Sequence, residues 1–192
     1  MNRLNLILCL LLLSTFTSYS QNDDLQTLYF QATKSLKLFV IKKPLNNAKY
    51  NIDDSTFYQD YLLRSYSTKV DTKIFLEIIQ NSKQVDTSDW KDTELTGSIL
   101  MKDSIAKIDL NYVVQKFASN KKLARSNRRA SKRFNRHIPD RRYYSMSRPV
   151  MDNAHEFAVV NISNNYYGGM LLMFRKVNNV WQEIGMIDMW RY

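Results

Sequence analysis

The chain has 192 residues, of which 44% are hydrophobic and 24% are charged, and its formal net charge is +10 at pH 7. This length is sufficient for one domain with a buried core. A single cysteine, Cys9, and four glycines occur, which excludes a disulfide framework and a glycine-rich loop that cradles phosphate.

The first twenty residues have the three parts of a secretory signal. Arg3 supplies the positive charge, Leu4–Leu13 form an apolar run, and Ser18 and Ser20 are the small residues required for cleavage before Gln21. The run is shorter than the ~20 apolar residues that span a bilayer. We therefore expect residues 1–20 to be a signal peptide, no transmembrane segment, and a periplasmic or secreted protein of bacterial type. The mature chain then has no cysteine and no thiol nucleophile.

Two helices are predicted in the first half of the chain. The first is capped by Asp23-Asp24 and ends at Pro44, with apolar residues at helical spacing between them. These apolar residues are Leu25, Leu28, Tyr29, Ala32, Leu36, Phe39 and Val40. The second helix is capped by Asp71-Thr72 and continues through Ile79. Residues 45–70 have no clean period, and residues 83–97 are predicted to form a loop.

The middle of the chain combines short apolar runs with a long polar helix. Residues 98–102 and 105–110 are candidate strands around a turn at Asp103-Ser104. Residues 111–136 are predicted to be one helix that Pro139 ends. The following residues, 143–151, are predicted to be extended, and Pro149 indicates an edge strand.

The last fifty residues have the clearest pattern. Three apolar stretches, Glu156–Ser163, Met170–Val177 and Val180–Trp190, predict an antiparallel meander. A connection containing Gly168-Gly169 and a two-residue turn at Asn178-Asn179 separate them. Early helices and a late meander are typical of the α+β class. We predict a single α+β domain over residues 21–192, with the N-terminal helices packed on the C-terminal antiparallel sheet.

Positive charge is concentrated in one basic segment, residues 121–142. This segment contains ten Lys or Arg residues, seven of them Arg, and one Asp, and the rest of the mature chain is neutral. Clustered arginines bind phosphate or sulfate through bidentate contacts, and two tyrosines after the segment could stack on bases or sugars. The candidate polyanion- or partner-binding residues are Lys121, Lys122, Arg125, Arg128, Arg129, Lys132, Arg133, Arg136, Arg141, Arg142, Tyr143 and Tyr144. Two other interpretations stay open: a solvated helix, and electrostatic association with anionic lipid or envelope polymer.

Metal binding and catalysis have little support in the sequence. His137 and His155 are the only histidines, and a zinc site needs three or four ligands. The 83–97 loop contains an acidic cluster without the residue pattern of a calcium loop. Its members are Asp86, Asp89, Asp92 and Glu94. We interpret the cluster as a polar loop that can pair with the basic segment, and we predict no metal, no cofactor and no catalytic residue.

Aromatic residues provide a second candidate contact site. Trp181 and Trp190 are nine residues apart, so on a regular strand they face opposite sides and one of them is expected in the core. Tyr166 and Tyr167 are predicted to lie at a loop tip, which makes them the favoured contact pair for a sugar or peptide.

The final third of the chain has a recognisable order of residues. In sequence, these are Phe134, Ile138-Pro139, Ser147-Arg148-Pro149, Phe157–Val160, Gly169 and Lys176–Trp181. This order resembles a class of small exported proteins of Bacteroidota-type bacteria over residues 134–190, a class that implies no particular activity. It is also similar to the final strands of cystatin-like and nuclear-transport-factor-like folds. That resemblance implies a curved sheet that wraps a helix.

These observations favour an exported, non-enzymatic binding or interaction module that docks an acidic partner through the basic segment. An acidic protein, an envelope polymer, a nucleic acid or another polyanion fits that chemistry. The alternative is a periplasmic hydrolase or small-ligand-binding protein with a pocket between the sheet and the helices. The alternative predicts an enclosed polar pocket, away from the basic segment, that holds carboxylates with shifted pKa values.

Overall fold

The computed structural model describes residues 25–34, 38–45, 60, 66, 69–137 and 141–191. The predicted signal peptide, the Asp23-Asp24 cap and Pro139 lie outside these residues. The helices are α1 (residues 25–33), α2 (Thr72–Asn81), α3 (Leu110–Lys116) and α4 (Lys121–Arg136). The strands are β1 (Phe39–Ile41), β2 (Ile99–Met101), β3 (Tyr144–Met146), β4 (Val150–Met151), β5 (Phe157–Asn164), β6 (Gly168–Val177) and β7 (Val180–Trp190).

The strands form one seven-stranded mixed sheet in the order β2-β1-β3-β5-β6-β7, with β4 paired to β5. β1 is parallel to both of its neighbours, and Val40 lies opposite Leu100 on one side and Tyr144 on the other. From β3 onward all neighbouring strands are antiparallel. The predicted α+β class is confirmed, and the parallel strands are a feature that the sequence pattern did not indicate.

The predicted antiparallel meander is confirmed as β5, β6 and β7. Its second turn consists of Asn178 and Asn179, with φ angles of 51° and 60°. These angles lie in the left-handed region that a two-residue type I′ hairpin turn requires. Asparagine adopts that conformation more readily than most residues with a side chain, so local turn chemistry is sufficient to place this hairpin.

Helices cover both faces of the meander. Leu28 and Ala32 of α1 belong to a buried cluster that contains Val160, whereas Phe75 of α2 belongs to a second cluster that contains Val159. Because successive strand residues point to opposite faces, α1 and α2 lie on opposite sides of β5. Every residue of β5 is consequently buried, and the predicted packing of N-terminal helices on the C-terminal sheet is confirmed.

The parallel edge of the sheet carries α3 and α4. Val113 of α3 and Phe134 of α4 share a third buried cluster with Ile99 and Met101 of β2. The ring centroid of Phe134 lies 4.1 Å from that of Phe39 in β1. This packing fixes one side of α4 against the sheet and leaves its other side exposed to solvent.

Two predicted elements before the long polar helix are wrong. Phe39 and Val40 belong to β1 and not to the first helix, because β1 finds hydrogen-bonding partners in the distant strands β2 and β3. Residues 105–109 form no strand. Instead, the Asp109 carboxylate accepts a hydrogen bond of 2.8 Å from the backbone N–H of Asn111 and caps α3.

The predicted helix over residues 111–136 is interrupted. Residues 117–119 form a turn, after which the Asn120 side chain accepts a hydrogen bond of 3.0 Å from the backbone N–H of Leu123 and starts α4. The extended segment around Pro149 is present as β3 and β4. β3 lies between β1 and β5, so the edge-strand prediction applies to β4, whose strand partner among the described residues is β5.

Candidate polyanion-binding surface

The basic residues of α4 all lie on one exposed side of the helix. Successive helical residues are rotated by roughly 100°, so these eight side chains fall within an arc of roughly 140°. We call them the cationic face: Lys121, Lys122, Arg125, Arg128, Arg129, Lys132, Arg133 and Arg136, all exposed. The opposite side of the helix buries Ala124, Asn127, Ser131 and Phe134. A face this basic, held outward by a packed reverse side, can contact several anionic groups at once.

Hydrogen bonds fix the orientation of the helix. The side chain of Asn135 accepts from the backbone N–H of Ile108 and donates to its carbonyl oxygen, both at 2.9 Å. At the end of α4, the Nε of Arg141 donates to the carbonyl oxygen of Phe134 at 3.1 Å. These bonds hold the C-terminal part of α4 to the loop before α3 and to the segment after the helix, so the cationic face has a defined direction.

A surface groove of about 630 Å³ runs along the helix. One row of its lining consists of four cations, and the neighbouring row includes the small residues Ser126 and Ala130. The lining residues are Lys121, Lys122, Arg125, Ser126, Arg129, Ala130 and Arg133. The cations Lys121, Arg125, Arg129 and Arg133 follow each other at intervals of ~6 Å along the helix axis. This arrangement suits a linear anionic chain better than a compact anion.

The charges of the cationic face repel one another. Like charges four residues apart destabilise a helix by about 0.2–0.5 kcal/mol per pair. The five such pairs are Lys121/Arg125, Arg125/Arg129, Arg128/Lys132, Arg129/Arg133 and Lys132/Arg136. The first turn has no acidic residue, so its two lysines also oppose the positive end of the helix dipole. Such a local conflict is expected where a sequence serves binding rather than stability.

The structure describes no internal partner for these charges. Within the described ranges, no carboxylate oxygen lies within 4.0 Å of a cationic nitrogen of the cationic face. The acidic loop uses other cations: Asp89 pairs with Lys42 at 3.7 Å, Asp92 with Lys116 at 2.5 Å, and Glu94 with Arg148. The predicted pairing of the acidic cluster with the basic segment is therefore wrong. The acidic cluster pairs with Lys42, Lys116 and Arg148 instead.

Arg141 does not belong to the candidate surface. It is 4% exposed, and its guanidinium donates to the carbonyl oxygens of Phe134, Ser104 and Ala106. Its charge is used to join the loop before α3 to the end of α4, so including Arg141 among the partner-binding residues was wrong. Arg142, the next residue, is exposed.

Tyr143 and Tyr144 are half-buried, whereas the predicted stacking on bases or sugars needs rings that are open to solvent. Tyr143 packs against the cluster of α3 and α4, and Tyr144 packs against the cluster on the α1 side of the sheet. Their rings contribute to the core. The exposed pair Tyr166 and Tyr167 instead lies beside Arg142, with its guanidinium carbon 5.4 and 5.5 Å from their ring centroids.

A polar cluster that the sequence did not predict lies between the acidic loop and α3. The Oδ1 atom of Asp92 accepts hydrogen bonds of 2.5 Å from both Tyr112 and Lys116. Burial lowers the pKa of the Lys116 ammonium, and burial together with the Asp92 charge raises the pKa of Tyr112. The spacing of Tyr112 and Lys116, four residues apart on one helix, was the available signal. The cluster ties α3 to the loop.

A cleft of about 650 Å³ lies beside this cluster, at the carboxyl ends of β1 and β2. Trp90, Met101 and Ile108 are among its apolar lining residues, and Lys42 and Lys102 are among the polar ones. It lies next to α3, whereas the alternative hypothesis placed a pocket against the N-terminal helices. Asp92, which lines the cleft, already accepts hydrogen bonds from two donors. The cleft therefore supports acid–base catalysis less well than the cationic face supports binding of anions.

The remaining candidates occupy ordinary positions. His137 and His155 are both exposed, and the described part of the chain brings no three His, Cys, Asp or Glu side chains into a group that could hold a metal ion. Trp181 is fully buried, whereas the side chain of Trp190 lies outside the described residues. None of the described helices has the length and apolar character needed to cross a membrane.

Comparison with protein-family models, with curated proteins and with solved structures finds no significant match. The resemblance to exported Bacteroidota-type proteins and the cystatin-like or nuclear-transport-factor-like analogy therefore stay predictions.

Proposed function

We propose that this protein is an exported, non-enzymatic binding module that docks an anionic polymer along the cationic face of α4. The observation that carries the proposal is a row of exposed cations on one side of a packed helix, without a carboxylate partner among the residues described. Export follows from the predicted signal peptide. The cationic face supplies eight positive charges, against a net charge of +10 for the whole chain, so the interaction is local to one surface.

The composition of the face favours phosphate or sulfate groups. Five of its eight cations are arginine, and a guanidinium binds such groups through two parallel hydrogen bonds, whereas an ammonium acts as a point charge. The helix is ~24 Å long, and its groove is lined by residues from Lys121 to Arg133. Displacement of counterions from a polymer adds a favourable entropy with every anionic group that is neutralised.

Association with a bilayer surface is less well supported. An interfacial helix needs an apolar face that enters the lipid. The apolar residues Ala124 and Phe134 of α4 are buried within the protein, which leaves Leu123, 44% exposed, as the apolar side chain that α4 presents to solvent.

Heparin binding tests the proposal. We expect the full mature chain to bind fluorescein-labelled heparin with an affinity that falls steeply as the salt concentration rises. Replacing Arg125, Arg129 and Arg133 together with Gln should reduce the salt dependence by up to about three counterions and weaken binding at ~100 mM salt by at least tenfold. Fluorescence anisotropy across a salt series measures both quantities.

A matched control removes the same charge elsewhere. The variant Lys83→Gln/Lys102→Gln/Lys107→Gln alters three exposed lysines outside the cationic face and should bind heparin much as the unaltered protein does. Equal loss in both triple variants would mean that net charge, and not this surface, determines binding. Absence of heparin binding at ~50 mM salt, where such contacts are strongest, would contradict the proposal.

The arginine variant is also expected to be more stable than the unaltered protein. It removes three of the like-charged pairs on α4, so the free energy of unfolding should rise by about 1 kcal/mol and the melting temperature by ~2–4 °C at low salt. Thermal unfolding followed by circular dichroism measures this change. A fall in melting temperature would show that the three arginines stabilise the fold, in which case their role is structural.

A further inference from the structure

A second surface feature lies near the end of the cationic face. Tyr166 and Tyr167, at the tip of the β5–β6 hairpin, are 61% and 59% exposed. Their ring centroids are 4.9 Å apart with an interplanar angle of 72°. The guanidinium of Arg142 lies over both rings. We call these three residues the aromatic platform. It combines two exposed aromatic rings with one cation.

Hydrogen bonds between two asparagine side chains and the neighbouring backbone hold the platform in place. The Oδ1 atom of Asn164 accepts a hydrogen bond of 2.8 Å from the backbone N–H of Tyr166. The neighbouring Asn165 donates to the carbonyl oxygen of Arg141 at 2.8 Å and accepts from the backbone N–H of Tyr143 at 3.0 Å. The rings are therefore exposed on a loop whose conformation is fixed, which lowers the entropic cost of binding a ligand there.

Arg141 connects the platform to the cationic face. Its carbonyl oxygen accepts from Asn165 in the platform loop, and its side chain donates to Phe134 in the last turns of α4. This buried residue therefore ties the hairpin tip to the C-terminal end of the helix. The platform and the C-terminal end of the cationic face are therefore neighbours in the fold.

The chemistry of the platform selects among anionic polymers. The face of an aromatic ring is negative, so a sulfated sugar, which carries its charges on the ring that would stack, is repelled. A nucleotide separates its phosphate from its base, so the phosphate can bind Arg142 while the base stacks on a tyrosine. In a duplex the bases are already stacked on each other, whereas in a single strand their faces are free.

We infer that the polymer is a single-stranded nucleic acid, with its phosphates on the cationic face and one or two bases stacked on Tyr166 and Tyr167. This inference rests on the proposed function and adds a substrate class to it. Stacking on aromatic side chains tolerates every base, so the protein is expected to bind without strong sequence preference.

The test compares two chains of equal charge. A 20-nucleotide oligothymidylate and an abasic deoxyribose-phosphate chain of the same length differ in their bases alone. The unaltered protein should bind the oligothymidylate at least about fivefold more tightly, the fold-change expected from stacking one base. In Tyr166→Ala/Tyr167→Ala this preference should disappear while the affinity for the abasic chain is unchanged. Tyr166→Phe/Tyr167→Phe should retain the preference.

Controls separate the possible failures. Phe30→Ala removes another exposed aromatic ring, on α1 and 65% exposed, and should leave the preference unchanged. Equal binding of both chains, lost in the Arg125/Arg129/Arg133 variant, would overturn the inference and leave the proposed function standing. Tighter binding of heparin than of oligothymidylate, weakened by the tyrosine substitutions, would make the partner a polysaccharide and also overturn it. Absence of binding to any of the three probes would overturn both proposals.

Discussion

Replacing Arg148 with methionine is expected to lower the free energy of unfolding by about 2–4 kcal/mol, because it leaves the half-buried Glu94 without its cation and two carbonyl groups without their donor. The Arg148 side chain is 7% exposed and pairs with Glu94. Its guanidinium also lies 4.0 Å from the ring centroid of Trp90 and donates to the carbonyl oxygens of Ser88 and Asp89 at 3.2 Å. Methionine occupies a similar volume but satisfies none of these acceptors. Urea denaturation at neutral pH measures the loss.

Arg175→Met is the matched control for this substitution. Arg175 is exposed on β6, and its replacement should change the stability by less than about 0.5 kcal/mol. A loss below about 1 kcal/mol for Arg148→Met would show that Glu94 and the two carbonyl groups find water or other donors. Folded Arg148→Met should bind heparin normally, because Arg148 lies apart from the cationic face.

Asp92→Ala is expected to lower the free energy of unfolding by about 3 kcal/mol, because it leaves the ammonium of Lys116 buried without a counter-charge. The Lys116 side chain is 6% exposed, and its other hydrogen-bond acceptors include the carbonyl oxygen of Leu95 at 3.1 Å. The double variant Asp92→Ala/Lys116→Met should recover part of the loss, since it removes the unpaired charge. A double variant less stable than Asp92→Ala would contradict this account.

The contribution of Asp92 should also depend on pH. Partial burial acts to raise the pKa of Asp92, but hydrogen bonds from Lys116 and Tyr112 outweigh it, so the pKa lies below its ordinary value of 3.8. Below 3.8 the unfolded chain takes up the proton before the folded chain does. The stabilisation is therefore complete above 3.8 and is lost as the pH falls through the lowered pKa. The stability difference between Asp92→Ala and the unaltered protein should narrow accordingly in urea titrations at about pH 3.

Elements with local signals could be predicted from the sequence. The carboxylate of Asp71 accepts a hydrogen bond of 2.9 Å from the backbone N–H of Lys73, as expected for a helix cap. The Asn178-Asn179 turn has the backbone angles that its residues favour. In both cases the determining interaction spans no more than a few residues, so the local sequence contains it.

Elements determined by distant partners could not be predicted in this way. Phe39 and Val40 continue the helical spacing of α1, yet they form β1 because Ile99 and Leu100 lie opposite them in a parallel strand. Similarly, nothing in the segment around Arg148 indicates that this residue is buried, since its partner Glu94 lies far away in the chain. Tertiary pairing overrides the local period in such segments.

The candidate site was predictable in part. The spacing of the cations in residues 121–136 predicts a face on a helix, and the structure places all eight on one exposed side. The burial of Arg141 and the proximity of Arg142 to Tyr166 and Tyr167 depend on the hydrogen bonds of Asn165, which is remote in sequence. In the sequence the basic segment and the pair Tyr166 and Tyr167 are separate candidate sites. The fold brings Arg142 of that segment next to both tyrosines.

The cluster that joins Leu28 and Val40 to Phe174 and Trp181 determines when this chain can acquire a core during its biosynthesis. At ~5–20 residues per second, a ribosome needs roughly seven to thirty seconds to pass from Val40 to Trp181. Throughout that interval Leu28 and Val40 lack the meander residues that complete their cluster, since β5, β6 and β7 are made last. The N-terminal residues of this cluster are therefore buried only after the C-terminal hairpins have been synthesised.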